Sequence, residues 1–294
     1  MGTATYKLVD IGANLGNHRF EAKDLEHVIQ RAKDAGCVKL MVTGTSVKES
    51  EAALRLARLY PGFLYSTAGV HPHDAKHWDS TCATALEELA KQPECVALGE
   101  CGLDFNRNFS PPEDQLTAFK AQAIHSHLSH PPPSSATNPT LASQALLEVL
   151  DSFVNLPPIV IHCFTGTAAE AQLYINKGFY IGLTGFLWKD RSDDGVQHGL
   201  RSGLIPLQRL LIETDSPFMF PNIDHKKIPP EIRTGISDHA RGFLKRYCSF
   251  NRNEPCSLAA TCELIAGFAG TTAEEVALNT TINAFKVFPG LHHE

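Results

Sequence analysis

This 294-residue sequence has no long apolar run and no internal repeat, and its amino terminus does not look like a leader. No apolar stretch approaches the roughly 18 residues that a membrane helix needs, so we expect a soluble protein without membrane contact. The amino terminus lacks a basic region followed by an apolar segment and a cleavage site. It therefore does not resemble a secretory signal, and the expected location is the cytoplasm or the nucleus.

Cysteine spacing and net charge each exclude one class of protein. Eight cysteines are scattered along the chain without any CxxC motif, so reduced thiols are expected in place of a disulfide framework. With 26 basic against 32 acidic residues and a net charge of −6, the chain does not belong to the strongly basic proteins that cover nucleic acid, such as histones. A nucleic-acid partner would need a local contact patch, and bound divalent cations could reverse the local field there.

Short apolar or β-branched runs alternate with segments of helical period along most of the chain. This alternation indicates βαβ units and a parallel sheet, and an α/β barrel of this length can form one domain, spanning 1–294. The predicted strands are Tyr6–Ile11, Val38–Thr43, Leu64–Val70, Val96–Gly99, Ile159–Cys163, Tyr180–Leu183 and Leu210–Thr214. The predicted helices are Leu25–Ala35, Lys48–Tyr60, Ala83–Lys91, Pro112–Ile124, Leu141–Phe153, Ala168–Lys177, Asp238–Tyr247, Cys256–Phe268 and Thr272–Val287, several of which begin after a capping residue such as Ser46 or Thr167.

The segment 125–144 interrupts this alternation. The interval between Gly99 and Ile159 is about twice the usual distance between strands, and a Pro/Ser-rich tract lies at its centre. Pro131, Pro132 and Pro133 cannot donate ladder hydrogen bonds. We therefore predict an atypical loop where a strand is expected.

Three predicted strands end in a residue type that binds metals. Glu100 follows CVALG, His162 lies in IVIHCFTG and Asp215 closes LLIETDSP. Because the carboxyl ends of barrel strands converge on one face, these side chains can meet at one site. Carboxylate and imidazole ligands suit Zn²⁺, Mn²⁺ or Mg²⁺, and more oxygen ligands favour the harder ions. Taken singly, Glu100 could be a buried paired acid, His162 a core histidine and Asp215 a helix N-cap.

Two further polar loops could contact substrate phosphate. His71 and His73 lie in AGVHPHDA at the end of a predicted strand, where binding of substrate phosphate competes with hydrogen bonding within the loop. Asp104, Arg107 and Asn108 form a polar loop after Glu100, and the guanidinium of Arg107 could grip a phosphate. The alternative for this second loop is an ordinary solvated turn.

The other polar candidates are less directly placed. Asp10 and Asn14 lie around the end of the first strand and could face the site. The residues 252–254 are expected to be structural, for example in capping the next helix. The strand parity of Cys101 and Cys163 points both thiols away from the face used by Glu100 and His162, so no thiol nucleophile is proposed.

The ordered motifs resemble the TatD family of metal-dependent deoxyribonucleases over nearly the whole chain. The resemblance rests on VDIGANL, VTGTSVKES, STAGVHPHDA, ALGECGLDFNRNFSPPEDQ, IHCFTGT, YIGLTGF, LLIETDSPF and RNEP, and leaves only about 125–144 unmatched. It implies a (β/α)₈ TIM-type barrel of the metal-dependent hydrolase kind, here with one strand replaced by the Pro/Ser-rich loop. It also implies hydrolysis of phosphodiester bonds in DNA, as a 3′-5′ exonuclease; we assume a monomer.

The resemblance also assigns roles. It implies that Glu100 and His162 hold a divalent cation and that Asp215 binds the cation or its water and is the general base, so that Glu100 and Asp215 are catalytic. His71, His73 and Arg107 would then bind substrate. The early HxH pair of many relatives is replaced by Gly12 and Asn14.

One metal-binding strand of the family has no counterpart. The family strand resembling PVFLHxRDA would place its histidine near Ala136 or Thr137, neither of which can replace an imidazole. His125, His127 or His130 could be recruited instead, although they would lie at the end of the preceding helix. Two other functions therefore stay open: a weak or inactive barrel that binds nucleic acid or a protein, and an amidohydrolase-like enzyme acting on a C–N bond or a small phosphoester.

Overall fold

A computed structural model of the chain describes residues 6–107, 109–124, 129–130, 139–153, 156–190 and 193–292. Its strands are β1 (Leu8–Ala13), β2 (Cys37–Val42), β3 (Leu64–Ala68), β4 (Cys95–Leu98), β5 (Ser129–His130), β6 (Val160–Ile161), β7 (Tyr180–Leu183) and β8 (Leu210–Ile212). Its helices are α1 (Leu25–Asp34), α2 (Val47–Leu59), α3 (Ser80–Ala90), α4 (Pro112–Ile124), α5 (Pro139–Asp151), α6 (Ala168–Asn176), α7 (Val196–Arg201), α8 (Pro230–Gly235), α9 (Asp238–Tyr247), α10 (Leu258–Ala269) and α11 (Ala273–Val287).

The strands form two parallel sets that join through β8 and β1. One set has the order β1-β2-β3-β4 and the other the order β5-β6-β7-β8. The backbone N–H of Asp215 donates to the carbonyl of Gly12 at 2.8 Å, and that of Asn14 donates to Ser216 at 2.7 Å. These bonds join β8 to β1 at their carboxyl ends. The predicted α/β barrel architecture is confirmed.

The carboxyl-terminal part of the chain closes one end of the barrel. Alternate strand residues fill the interior: Val9, Ile11, Met41, Tyr65, Ala97, Val160, Tyr180 and Leu211. Val287, Phe288 and Leu291 pack against this cluster, and the hydroxyl of Tyr65 donates to the carbonyl of Leu291 at 3.4 Å. Because these contacts lie near the amino ends of the strands, the opposite end is left for the site.

Local sequence signals explain most helix boundaries. Ser46 and Thr167 cap α2 and α6 as predicted, each accepting a bond from a backbone N–H three residues on. The helices α7 and α8 were not predicted, because six residues are too few to show a helical period. Within the described residues no single helix is long and apolar enough to cross a membrane, and Pro255–Ala269 and Ala273–Val287 meet that test only jointly, across a 110° bend.

The predicted loop over 125–144 requires correction. Ser129 and His130 form β5 and pair in parallel with Val160 and Ile161 of β6, so His130 is in a strand and not at a helix end. Both residues precede the first proline and keep their N–H groups. The helix α5 begins at Pro139, where a missing N–H costs nothing. Residues 125–128 and 131–138 lie outside the described chain, and with them His125, His127 and the predicted position of the family histidine.

Glu254 in the motif at 252–254 is the buried centre of a partly exposed ion-pair cluster. Glu254 accepts from Arg31 Nε at 2.8 Å, and Arg252 Nη2 lies 3.2 Å from the same carboxylate. Asp24 bonds to Arg252 as well. Glu254 makes no side-chain cap on the following helical turn. The structural expectation for this motif therefore agrees with the structure, while the capping role does not.

Replacing Arg31 with methionine should destabilise the fold measurably. Glu254 would stay buried with only Arg252 beside it, so we expect a loss of about 1 to 3 kcal/mol, below the roughly 3 to 5 kcal/mol of a fully orphaned buried charge. Arg55→Met is the matched control, because Arg55 and Glu51 form an exposed pair at 3.7 Å worth below about 0.5 kcal/mol. Urea unfolding of both variants measures the difference, and equal losses would contradict this assignment.

Candidate active site

The carboxyl ends of β4 and β6 bring Glu100 and His162 together. Oε1 of Glu100 lies 3.4 Å from Nε2 of His162, and both side chains are buried. Glu100 is placed by its backbone N–H, which donates to the carbonyl of Gly44 at 3.0 Å beyond the end of β2. Two residues that are 62 positions apart in sequence thus meet at the barrel mouth, as their strand-end positions predicted.

Glu213, which the sequence analysis did not single out, holds His162 from the other side. Its Oε2 lies 3.2 Å from His162 Nδ1, and its Oε1 accepts from the backbone N–H of Cys163. Gly12 and Gly182 leave space for this carboxylate, since a Cβ at either position would come within 2.7 Å of a Glu213 oxygen. Strand parity could have revealed Glu213, because it lies two residues before Asp215 and on the same side of the chain.

Asp215 lies at the same mouth and is oriented by Asn14. The side-chain amide of Asn14 donates to Asp215 Oδ1 at 2.8 Å, so Asn14 does face the site. The thiol of Cys163 lies 3.9 Å from Asp215 Oδ2. The predicted direction of the Cys163 thiol, away from the site, is therefore wrong, because Cys163 has a φ of 51° and leaves the extended alternation. Cys101 packs in the outer core, as expected.

The mouth concentrates negative charge around one imidazole. Burial raises the pKa of Glu100, and Glu213 adds to this rise although His162 opposes it. Desolvation, followed by Glu100 and Glu213, raises the pKa of Asp215 well above its usual value. Burial alone would lower the pKa of His162, but the carboxylates of Glu100 and Glu213 raise it to about 9. One imidazolium therefore faces three carboxyl groups.

The two loop histidines occupy one wall of the mouth. His73 Nε2 lies 2.7 Å from Asp104 Oδ2, and this bond holds the pKa of Asp104 low against the effect of burial. Burial and then the charges of His73 and His162 lower the pKa of His71 to about 3, so His71 is neutral and accepts from the backbone N–H of His73 through Nδ1. Arg107 is exposed, and its backbone N–H donates to Asp104. Asn108 lies outside the described residues.

Asp10 does not join this group. Its carboxylate accepts from the backbone N–H of Thr214 at 3.0 Å and from the Thr214 hydroxyl at 2.6 Å. It lies inside β1 and is fully buried. Asp10 therefore helps to join β1 to β8 and is not a candidate ligand.

The residues at the mouth fit a cation only in part. In the described chain, Nε2 of His162 is buried and makes no hydrogen bond, and the carboxylate of Glu100 lies 3.4 Å from it; a cation bound between the two would take the place of the imidazolium proton. Glu100 and Asp215 supply oxygen donors beside it. However, no group of three or more histidine, cysteine, aspartate or glutamate side chains within the described ranges is arranged closely enough to hold a metal ion. Glu100 and His162 thus fit as two ligands, and Asp215 would complete the set only after a movement.

Solved structures share this architecture. A TatD family hydrolase from Entamoeba histolytica matches with a TM-score of 0.75 at 23% identity, over 98% of this chain and 99% of that one. A TatD homologue from Escherichia coli K12 matches with a TM-score of 0.75 at 21% identity, over 96% and 98%. Both show the fold, a TIM-type α/β barrel.

The chain belongs to the TatD-related DNase family, whose sequence model matches residues 9–289. The protein named 3′-5′ ssDNA/RNA exonuclease TatD from Erwinia tasmaniensis is 40% identical over 283 residues, covering 96% of this chain and 99% of that protein. Its namesake from Escherichia coli K12 is also 40% identical over 283 residues, covering 96% and 98%. Membership of this family implies use of a divalent metal.

Glu213→Gln should weaken cation binding without removing a direct ligand. The amide would lose the charge that orients His162 through Nδ1, and loss of such a supporting contact lowers metal affinity by about 10- to 100-fold. Titration calorimetry with Mn²⁺ measures this. Asp10→Asn is the control, since Asp10 is an equally buried carboxylate that bonds Thr214 and not His162. An unchanged affinity in Glu213→Gln would contradict the supporting role.

Asp10→Asn should change how stability depends on pH. Burial raises the pKa of Asp10 from 3.8 to about 7 against the lowering effect of its Thr214 bonds. Between these values the folded state holds a proton that the unfolded state has lost, so wild-type stability falls as the pH rises. The asparagine variant lacks this fall and should gain on the order of 1 to 3 kcal/mol relative to wild type between pH 5 and 8. Urea unfolding in EDTA measures both curves; parallel curves would disprove the shift.

Proposed function

We propose that this chain is a metal-dependent nuclease that removes nucleotides from the 3′ ends of single-stranded DNA. The observation that carries the proposal is the position of His162 at the open end of the barrel, with Glu100 beside its Nε2 and Glu213 beside its Nδ1. The names of the curated relatives, 3′-5′ ssDNA/RNA exonucleases, supply the reaction. We infer DNA over RNA from the family description alone.

Glu100 and His162 would hold the divalent cation, and Asp215 would approach it from β8. A cation bound there would supply the Lewis acidity that phosphodiester hydrolysis needs. Because most of the donors are carboxylate oxygens, we propose Mg²⁺ or Mn²⁺ ahead of Zn²⁺. The negative charges that repel one another in the free protein would then be offset.

Asp215 is the proposed proton acceptor. Asn14 holds its Oδ1 at 2.8 Å, which leaves Oδ2 to face the attacking water. Glu100 and Glu213 help to raise the pKa of Asp215, so that its carboxylate is a stronger base than an ordinary aspartate. Cys163 lies beside Oδ2, but burial and the nearby carboxylates raise the pKa of its thiol well above the usual value. A thiolate therefore has no role in the proposal.

The opposite wall would bind the phosphate. His71 is neutral and can donate through Nε2 without adding charge, since its Nδ1 accepts from the His73 backbone. The Asp104 carboxylate fixes the ring of His73 at 2.7 Å. Arg107 extends from the same loop into solvent and can meet a phosphate oxygen with its guanidinium. The three side chains would position the scissile phosphate over the carboxylates.

A second candidate is a weakly active barrel that binds nucleic acid. It is favoured by the lack of a complete three-residue ligand group in the described part of the chain. Replacing residues 129–138 by a strand that carries the family's histidine distinguishes the two. If the wild type binds single strands without cutting them and the replacement variant cuts, the second candidate is correct.

Glu100→Ala should abolish metal-dependent cleavage. Losing this carboxylate removes one of the two fitted ligands, so we expect a fall of roughly 100-fold or more in the rate with Mg²⁺ or Mn²⁺. The assay follows shortening of a 5′-labelled single strand, with EDTA as the blank. The control is Glu113→Ala, the same substitution at an exposed position on α4. Equal cleavage by Glu100→Ala and wild type would exclude the proposed site.

A further inference from the structure

Aromatic rings are exposed on the β7–β8 side of the mouth. The ring of Phe250 is 61% exposed. It packs against Phe220 at a centroid distance of 4.9 Å and against Trp188 at 5.9 Å, both edge to face. We call Trp188, Phe220 and Phe250 the aromatic platform: Trp188 is buried and Phe220 is half-buried, so they support Phe250, which presents the exposed ring. Phe218, which is 40% exposed, lies two residues before Phe220 in the same loop.

The aromatic platform is fixed to the segment that carries Asp215. The indole N–H of Trp188 donates to the carbonyl of Phe220 at 3.0 Å. The backbone N–H of Asn253, in the loop of Phe250, donates to the carbonyl of Pro217 at 2.9 Å. A turn in which the N–H of Phe218 donates to Asp215 at 2.9 Å joins this region to the proposed base. The exposed rings of Phe218 and Phe250 are therefore held beside the site by backbone bonds and by packing on the buried indole of Trp188.

Positive side chains surround these rings. The Lys189 ammonium lies 5.3 Å from the centroid of Trp188, and the Arg19 guanidinium 5.2 Å from that of Phe218. Lys226 and Lys227 are exposed next to His225, whose ring packs on Trp188 at 4.9 Å. The acid in this loop, Asp224, is paired with Arg241 at 2.5 Å. This side of the mouth is thus locally basic in a chain with a net charge of −6.

The geometry points to the aromatic platform, together with Phe218, as a stacking site for the bases of a single-stranded nucleic acid whose phosphate lies at the mouth. Exposed rings and nearby cations are the combination that binds single strands, because each base offers a π-face and each linkage a negative charge. Paired bases in a duplex cannot present their faces in this way. This inference rests on the proposed function and adds the residues that hold the bases.

Binding in EDTA tests the aromatic platform without requiring cleavage. The probes are a labelled oligothymidylate of about ten nucleotides and an abasic strand of the same length, followed by fluorescence anisotropy with the full chain. Wild type should bind the thymidylate more tightly. Phe250→Ala should weaken thymidylate binding by about 5- to 100-fold and leave abasic binding unchanged. Phe250→Trp should retain the preference for bases.

The control is Leu278→Ala, which truncates an apolar side chain of similar exposure, 60%, on α11. It should leave both affinities unchanged. The inference is overturned if wild type binds both strands equally or neither, if Phe250→Ala weakens both equally, or if Phe250→Leu behaves as wild type. The last result would indicate apolar contact without stacking.

Cleavage with Mn²⁺ separates this inference from the proposed function. Preferential binding of bases without cleavage by wild type would support the aromatic platform and contradict the nuclease. Cleavage without any base preference would do the reverse. Where both hold, Phe250→Ala should raise KM more than it lowers kcat, since Phe250 is a positioning residue away from the reacting atoms.

Discussion

The constraint on which this structure depends is an excess of buried negative charge around one imidazole. Glu100 and Glu213 lie on opposite sides of His162 at 3.4 and 3.2 Å, and Asp215 adds a third carboxyl group whose pKa is raised by desolvation and by the other two. Three carboxyl groups buried around one imidazole lower the stability of the fold unless a cation offsets their charge. The raised pKa values of Glu100, Asp215 and His162 therefore follow from one arrangement.

The barrel makes this arrangement possible because the contacts that stabilise the fold lie away from the end that carries the site. Tyr65 and Leu291 help to close the amino-terminal end of the barrel. Outside the barrel, Glu254 pairs with Arg31 and Arg252. The hydrogen bonds between β8 and β1 then fix Asp215 and Asn14 at the other end. Repulsion among the carboxylates is concentrated at the mouth, while the packed interior carries the fold.

The sequence predicts the strands and helices that follow from a local pattern. It does not predict side-chain directions and contacts that depend on the backbone geometry beyond the strand ends. The strand at 180–183 is a continuous apolar run between turns, so its bounds agree with the structure. Glu100 and His162 were identifiable because polar residues that end apolar strands converge in a barrel. Cys163 was placed wrongly because a left-handed residue breaks the alternation, and the contact of Asn14 with Asp215 spans 201 positions that no local pattern connects. The two-residue β5 was missed because it ends where the prolines begin.

In the proposed complex, the aromatic platform would hold the bases at the end of a nucleic-acid strand. The phosphate would lie on the other side of the mouth, with Asp215 between them. The proposed hydrolysis requires that the carboxylates hold a cation. Crystals soaked in Mn²⁺ test this directly through anomalous scattering. The account predicts a peak within roughly 2.0 to 2.3 Å of His162 Nε2 and of a Glu100 oxygen. A mouth without such a peak, with His162 still facing Glu100 as it does here, would contradict it.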